Sequence, residues 1–406
     1  MSEHKKWQSD KWFVSPWNYA EEVISSINFP KQIEIHDVTL RDGEQQAGVV
    51  FTRDDKVRIA EKLAELGVHR IEAGMPAVSK EDAAAIRDIV NRNLGPKIFA
   101  FSRCMVEDVK RALDCGVDGI VVEIPSSEHI IQNAYRWPLQ KAIDLSIEAT
   151  LFAKENGLYT VFFPIDASRA DVNWVIELIE KVATQGHMDA LALVDTFGGL
   201  SPHAIPYFVT KIKEKIKKPL ETHFHDDFGF GAANTLLALA CGAEVMHTTV
   251  TALGERAGNA PYEEVVIALL TMYGIDLGIK YEKIYETSQL VRQLAKVPVQ
   301  PNRAIVGDMI FKVESGIIST WFKNCINTIP VELFPFHWAL VGQPPAEVVL
   351  GKNSGIDSVA MELEKLGKQV PEEKLRLILD VVKEKAFAKK GLITREEFEQ
   401  LVNNLL

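Results

Sequence analysis

The stretch QIEIHDVTLRDGEQQAGVVFTRDDKVRIAEKLAELG (32–67) contains the pattern that decides the fold. Residues 32–43 alternate apolar and polar side chains as a strand does, and residues 53–67 carry apolar side chains at helical spacing up to Gly67. A strand followed directly by a helix is the repeating unit of α/β proteins. The same order recurs along the chain, first in HRIEAGMP followed by SKEDAAAIRDIVNR, where Ser79 is the predicted N-cap.

Eight such strand–helix units follow one another between residues 32 and 275. Eight units of roughly 30 residues are what a (β/α)8 barrel of about 250 residues requires. A doubly wound open sheet is the alternative, but it rarely has eight regular units, and no GxGxxG motif opens the first helix. The sequence therefore predicts a TIM barrel over residues 32–275, after an N-terminal arm over residues 1–31. Residues 276–406 are predicted to form helical subdomains that complete the site and a dimer.

The composition is that of a globular protein without unusual covalent features. The 406 residues are 47% hydrophobic and 25% charged, and the formal net charge is −11. A chain this acidic is a poor general partner for nucleic acids, because phosphate contacts need a basic surface. The four cysteines form no CxxC pair, which argues for a reducing compartment and against a thiolate metal site. Neither a long apolar run nor a signal-peptide core occurs, so we expect no membrane partner and a cytoplasmic location.

Polar side chains cluster at the predicted carboxyl ends of the strands, where TIM barrels hold their active sites. In THFHDDFG, His223 and His225 stand two residues apart on a strand, so both side chains point to the same face. Two imidazoles on one face suit a divalent cation, and a carboxylate would complete the ligand set. In TLRDGEQ, Asp42 offers that carboxylate, and Arg41 offers a cation for an enolate or carboxylate. The Gly-rich loop LGERAGN adds the amide of Asn259.

Each of these features also has a structural interpretation. Arg41 and Asp42 could form a local salt bridge at the rim, and the loop around Asn259 could be a tight connection into the last helix. Two other strand histidines are predicted to be structural. His36 alternates out of phase with Asp37 and is expected to face the helices, whereas His247 is expected to be a satisfied core residue.

The segments TLRDGEQ, HFHDDFG and LGERAGN, in this order and at strand ends, resemble those of the DRE-TIM metallolyase superfamily. Within it the chain resembles the Claisen-condensing branch of isopropylmalate, homocitrate and citramalate synthases. The resemblance extends over IEAGMP, DASRAD, VDTFGGLSP, QPNRAIVG and LGKNSG. It implies a TIM-barrel homodimer of amino-acid biosynthesis that condenses an acyl-CoA, such as acetyl-CoA, with a 2-oxo acid.

The resemblance also assigns roles to residues. It implies a divalent metal (Mg, Mn, Zn or Co) with four residues at or near it: Asp42, His223, His225 and Asn259. Arg41 would polarise the 2-oxo group and stabilise the developing oxyanion, and Thr196 would bind the carboxylate of the 2-oxo acid. The rest of the 2-oxo acid pocket is expected to come from strand-end residues: Glu72, Arg103, Glu123 and Ser127.

The chain departs from the family pattern at positions that normally titrate. Ile165 stands where the fifth strand of the family carries a Glu, Val313 and Ile318 replace two histidines, and Asn353 replaces a third. None of these side chains can act as a proton carrier, so the base for condensation must come from elsewhere. Glu314, in the ESG motif of the family, is assigned this catalytic role beside Arg41. Three other residues are alternatives: Lys312, Glu123 and Asp166.

Two other functions are kept open. The same metal and arginine could cleave a tertiary 3-hydroxy acid or a 3-hydroxyacyl-CoA, as the lyases of the superfamily do. A catalytically silent homologue could bind a 2-oxo acid without turning it over. The long C-terminal extension argues against the lyase, and the complete set of Asp42, His223 and His225 argues against the silent homologue.

Overall fold

The chain divides into two compact units. The computed structural model describes residues 5–406, and the first four residues of the predicted arm lie outside this part. One unit is Tyr19–Val299, and the other joins the segment that ends at Asn18 to Gln300–Leu406. Whether the second unit completes the site and a dimer stays a prediction.

The larger unit contains a closed barrel of parallel strands, which confirms the predicted TIM barrel. Its eight strands, β1 to β8, are Glu34–Asp37, Arg70–Glu72, Lys97–Arg103, Gly119–Pro125, Tyr159–Ile165, Ala190–Asp195, Leu220–Phe224 and Val245–Thr248. Each strand pairs with the next along the chain, and β8 closes the barrel by pairing with β1, where His36 stands opposite His247. All strands therefore run in one direction, and their carboxyl ends form a single rim.

Helices surround this barrel in the order that the sequence predicts. Helices α1 to α10 of this unit are Glu21–Ile24, Arg53–Leu66, Lys80–Asn91, Val106–Leu113, Leu139–Glu155, Val172–Gln185, Ile205–Lys215, Gly231–Ala240, Tyr262–Met272 and Ile284–Ala295. Two predicted helix ends are confirmed. Helix α2 ends at Gly67, whose φ of 98° is left-handed, and α3 begins at Ser79, whose side chain accepts a hydrogen bond from the backbone of Asp82. In the described part of the chain, no helix is long and apolar enough to cross a bilayer.

The interior of the barrel differs from one side to the other. Strands β3 to β6 contribute an apolar cluster that includes Phe99, Phe101, Val161 and Phe163. Strands β1, β2, β7 and β8 contribute buried charged and imidazole side chains: His36, Arg70, Glu72, Glu221, His223 and His247. Buried polar groups are costly unless they are paired, so this second half must be a connected network.

The smaller unit is mainly helical. Its elements are β9 (Lys312–Val313), α11 (Gly316–Cys325), β10 (Glu347–Val348), α12 (Ile356–Lys365), α13 (Glu372–Lys389) and α14 (Arg395–Leu405). Val313 belongs to a small apolar cluster with Phe322 and Val348, and Ile318 packs against it. The two aliphatic residues that replace family histidines are therefore part of the packing of this unit.

Candidate metal centre and active site

Three side chains from β7 and from the turn after β1 meet at one point of the barrel rim. The Nε2 atoms of His223 and His225 lie 3.0 and 3.4 Å from Oδ2 of Asp42, and all three residues are buried. One ligand atom from each lies within 4.8 Å of the others. The structure thus brings together the three residues that the sequence singled out, and their role as metal ligands stays a prediction.

Backbone contacts fix these positions. The turn after β1 is built on Asp37, whose carboxylate accepts hydrogen bonds from the backbone N–H and the hydroxyl of Thr39. Beneath His225 lies Gly198, with a φ of +57°, and a Cβ on this glycine would stand 2.8 Å from the carbonyl oxygen of His225. A glycine is required at such a close approach of two backbones.

Asn259 is placed next to the cluster by the loop after β8. Its backbone forms an isolated antiparallel bridge with His225, and its Nδ2 donates to the carbonyl of Leu253. Its Oδ1 is buried without a hydrogen-bond partner in the protein. A buried acceptor without a partner needs an ion, a water or a ligand to satisfy it. Two imidazoles, a carboxylate and this amide oxygen form a donor set that fits a divalent cation.

The charge states of the cluster also suit a cation. Burial would raise the pKa of Asp42, but Arg41 and the two histidines hold it well below 3.8. Burial lowers the pKa of His223 to about 3. Near neutral pH the carboxylate is therefore ionised and this imidazole is neutral, which are the forms that bind metals.

Arg41 is held rigidly beside Asp42. Its Nε donates to the buried carboxylate of Glu72, its Nη1 donates to Oε1 of Gln45 at 3.0 Å, and its guanidinium lies 4.0 Å above the ring of Phe101. Burial would raise the pKa of Glu72, but Arg41 and neighbouring histidines lower it to about 2. The Nη2 atom of Arg41 is buried and has no partner. The arginine therefore keeps one fixed donor for a ligand.

The other predicted substrate residues are engaged in different ways. The hydroxyl oxygen of Thr196 accepts a hydrogen bond from the backbone N–H of Asp166 at 2.8 Å. Arg103 is about half exposed, and its Nε donates to Asp108 of α4 at 2.6 Å. The hydroxyl of Ser127 donates to Asp166 at 2.6 Å. Thr196 and Ser127 are thus linked through Asp166, whereas Arg103 is paired with a helix residue.

The four candidate proton carriers have different surroundings. Asp166 accepts hydrogen bonds from Ser127 and Arg169, and Lys312 forms an ion pair with Glu347. Glu314 belongs to the smaller unit, where its carboxylate accepts from the backbone N–H of Asn353 at 2.9 Å. These three side chains are therefore already partnered.

Glu123, on β4, is the exception among the four. Its Oε2 is buried without a partner, and burial raises its pKa to about 7 despite the nearby Arg41 and Arg103. Glu123 is one of the residues that line a cavity of about 240 Å³, together with Arg103, Tyr135 and Lys141. A buried carboxyl that titrates near neutral pH and faces a cavity has the properties of a general base.

The prediction that His36 faces the helices is wrong. The residue is fully buried inside the barrel, where its ring stacks on that of His247 with 4.4 Å between centroids. Its Nε2 lies 3.2 Å from Oε2 of Glu72. The error came from the assumption that Asp37 points inward. Asp37 is bonded to Thr39 instead, so the residue before it takes the inward direction.

Sequence reasoning also missed a connected set of buried groups below the metal cluster. We call this set the polar column: His223, His247, Glu221 and Arg70. The sequence does contain a signal for such a set. Glu221 and His223 are two residues apart on β7, and Arg70 and Glu72 are two residues apart on β2, so each pair of polar side chains points to one face of its strand. His36, Glu221 and His247 also offer ligand atoms within 4.8 Å of one another. Because Arg70 is already paired with Glu221, we interpret this second set as structural.

An eight-stranded barrel with a buried Asp–His–His cluster and a fixed arginine at its strand ends defines a TIM-barrel enzyme with a candidate divalent metal centre. The profile of the HMGL-like family matches residues 32–291. The chain belongs to this family.

Curated relatives are similar over most of the chain. A putative (R)-citramalate synthase from Archaeoglobus fulgidus is 43% identical, over 87% of this chain and 71% of the relative. A homocitrate synthase from Methanothermobacter thermautotrophicus is 34% identical over 97% of this chain and 98% of the relative. A 2-isopropylmalate synthase from Methanocaldococcus jannaschii is 37% identical over 95% of this chain and 74% of the relative.

A solved structure confirms the fold. The hydroxymethylglutaryl-CoA lyase from Pseudomonas aeruginosa superposes with a TM-score of 0.61. The match covers 68% of this chain and 97% of that one at 21% identity. At this identity the likeness concerns the barrel architecture alone.

Proposed function

We propose that this protein is a metal-dependent synthase that joins an acyl-CoA, in the first instance acetyl-CoA, to a 2-oxo acid. The observation that carries the proposal is the buried cluster of Asp42, His223 and His225 with the free Nη2 of Arg41 beside it. The names of the three curated relatives, for citramalate, homocitrate and 2-isopropylmalate synthases, support synthesis over cleavage. The metal we propose is Mg, Mn, Zn or Co, and the functional state a cytoplasmic homodimer.

The residues divide the chemistry between them. A bound divalent metal would act as a Lewis acid that polarises the 2-oxo group. Arg41 would donate from Nη2 to the oxygen on which negative charge develops, and its rigid contacts mean that it need not reorganise. Thr196 would bind the carboxylate of the 2-oxo acid. These roles leave one task, removal of the α-proton of the acyl-CoA.

We assign the removal of that proton to Glu123, instead of to Glu314, the residue that the sequence analysis favours. The carboxylate of Glu123 would take the α-proton, and the resulting carbon nucleophile would attack the 2-oxo carbon. The alkoxide that forms takes up a proton, and hydrolysis of the thioester releases free CoA thiol. A cavity of about 630 Å³, lined in part by Arg41, Gln45 and Met75, offers room for the CoA part of the substrate. The acetyl group would reach past Arg41 to Glu123, whose pKa burial raises and the charge of Arg41 lowers.

The function is tested by incubating the metal-loaded protein with acetyl-CoA and one 2-oxo acid at a time. Pyruvate, 2-oxoisovalerate, 2-oxoglutarate and oxaloacetate form the panel. We expect release of free CoA thiol with one acceptor well above the rest, and loss of this release after chelation of the metal. If no acceptor releases thiol and 3-hydroxyacyl-CoA compounds are cleaved instead, the protein is a lyase. If neither reaction occurs and a 2-oxo acid only raises the melting temperature, it is a silent binding protein.

Glu123→Gln tests the assignment of the base. The amide cannot take a proton, so we expect kcat to fall by about 100-fold or more while metal affinity is unchanged. In the unchanged protein, kcat should rise as the pH passes through about 7, because the base is the ionised form of a carboxyl whose pKa burial raises to that value. This rise should be absent from the residual activity of the variant.

Two comparison variants sharpen this test. Glu107→Gln changes an exposed carboxyl on α4 and should leave kcat and its pH profile as they are. Glu314→Gln addresses the competing assignment. A larger loss of kcat in Glu314→Gln than in Glu123→Gln would return the role of the base to Glu314.

A further inference from the structure

We propose that His247 and Glu221 are positioning residues that fix the tautomer of His223, so that its Nε2 lone pair points at the metal position. The inference rests on the proposed metal centre and adds two residues to it to which the sequence patterns gave no role there. It concerns how the centre is prepared for its metal.

The polar column supplies the geometry. Nδ1 of His223 lies 3.3 Å from Nδ1 of His247, and Nε2 of His247 lies 2.7 Å from Oε2 of Glu221. The other oxygen of Glu221 accepts from Nη1 of Arg70 at 2.7 Å. All of these groups except Arg70 are at most 2% exposed, and no water competes for their hydrogen bonds at such burial.

The order of donors along the column follows from its charged end. The carboxylate of Glu221, neutralised by Arg70, only accepts hydrogen bonds, so Nε2 of His247 must carry a proton. With its single proton on Nε2, His247 offers Nδ1 as an acceptor, and His223 donates to it from Nδ1. A neutral His223 with its proton on Nδ1 has a lone pair on Nε2, the atom that lies 3.0 Å from Asp42. Through His247, the carboxylate of Glu221 thus selects the tautomer of His223 that can bind a metal at Nε2.

His36 shows what burial without such a chain looks like. Its ring lies against His247 and is equally buried, but its Nε2 faces Oε2 of Glu72 at 3.2 Å and contacts neither His223 nor Asp42 in this way. It packs beside the column without being part of the donor sequence. His36 is therefore a matched control for the effect of losing an imidazole from this core.

The first test measures the affinity of the full chain for Mn²⁺ alone, by calorimetry or by competition with a chelating dye. His247→Phe keeps the ring volume and removes the acceptor for His223, so we expect a loss of 10- to 100-fold in affinity, typical of groups that orient a metal ligand. His36→Phe should change the affinity by less than about threefold, although both variants remove one buried imidazole. Unchanged Mn²⁺ affinity in folded His247→Phe would overturn the inference.

The second test reverses the direction of the hydrogen bonds along the polar column. In Glu221→Gln the carbonyl oxygen of the amide should go to Arg70, leaving its NH₂ to face His247. His247 must then accept at Nε2 and donate from Nδ1, which moves the proton of His223 onto Nε2 and blocks the ligand atom. The loss of Mn²⁺ affinity should therefore exceed that of His247→Phe. An equal or smaller loss counts against the inference.

The tautomers can be read by ¹⁵N NMR of the histidine rings in the full chain with Zn²⁺ bound, and this readout needs no variant. We expect His223 to carry its proton on Nδ1 and His247 to carry its proton on Nε2, and a proton on Nδ1 of His247 would refute the proposal. Failure of the metal centre is separable from failure of this inference. If the proposed metal centre is wrong, His225→Ala retains Mn²⁺ affinity. If only this inference is wrong, His225→Ala loses Mn²⁺ affinity and His247→Phe retains it.

Discussion

His225→Ala should lose its metal and its activity together. The substitution removes one of three ligand atoms that lie within 4.8 Å of one another, and leaves the carboxylate of Asp42 with a single imidazole partner. We expect metal affinity to fall by at least about 100-fold and kcat to fall by about a thousandfold, because the Lewis acid is lost with the ligand. Metal content of the purified variant and thiol release under saturating metal measure the two effects.

The matched control is His203→Ala, which removes an exposed histidine in the short helical turn before α7. It should keep both the metal content and kcat. A purified His225→Ala that contains as much metal as the unchanged protein would show that this histidine is not a ligand. A variant that loses metal but keeps full activity would show that the metal is not part of the reaction.

Arg41→Ala should separate metal binding from turnover. The guanidinium does not ligate, so the metal should stay bound, yet the donor for the developing oxyanion is gone and kcat should fall by about a thousandfold. Arg41→Lys should recover little of this loss, because an ammonium cannot reproduce the planar contacts to Glu72 and Gln45 together with a free donor. Steady-state kinetics and metal content of both variants provide the measurement.

Stability must be followed in the same experiment. Removal of Arg41 leaves the buried carboxylate of Glu72 without its cationic partner, and breaking a buried pair in this way costs about 3–5 kcal/mol. Arg92→Ala, which breaks an exposed ion pair with Glu61, controls for loss of an arginine as such and should cost less than about 1 kcal/mol. A folded Arg41→Ala with kcat within a few-fold of the unchanged protein would end the assignment.

The barrel was predictable because its repeat is local. Each strand and helix can be predicted from the periodicity of its own residues. The predicted helix ends at Gly67 and Ser79 agree with those in the structure. The meeting of Asp42 with His223 and His225 followed from one further rule, that parallel strands end at a common rim. The sequence could therefore indicate a cluster between residues almost two hundred positions apart.

What failed was the direction of side chains close to a strand end. The interpretation of His36 depended on whether Asp37 points into or out of the barrel. The regular alternation of side chains ends where the chain turns and Asp37 accepts the hydrogen bonds of Thr39. The choice between Glu314 and Glu123 as proton carrier stays a prediction, and the sequence could not decide it for a different reason. Whether a carboxyl such as that of Glu123 is left without a partner depends on every neighbour around it, and a sequence shows no neighbours in space.

The polar half of the barrel interior has a consequence for when the proposed metal centre can form. Asp42, His223 and His225 precede β8 in the chain, whereas Asn259 follows it, so a fragment that stops before this strand contains three of the four proposed metal donors. It lacks His247, which supplies the partner for His223, and it lacks the strand that pairs with β1. The pairing of β8 with β1 joins strands that are far apart in the chain, at the entropic cost of closing a long loop. We therefore expect a fragment that ends before β8 to lack the proposed affinity for metal.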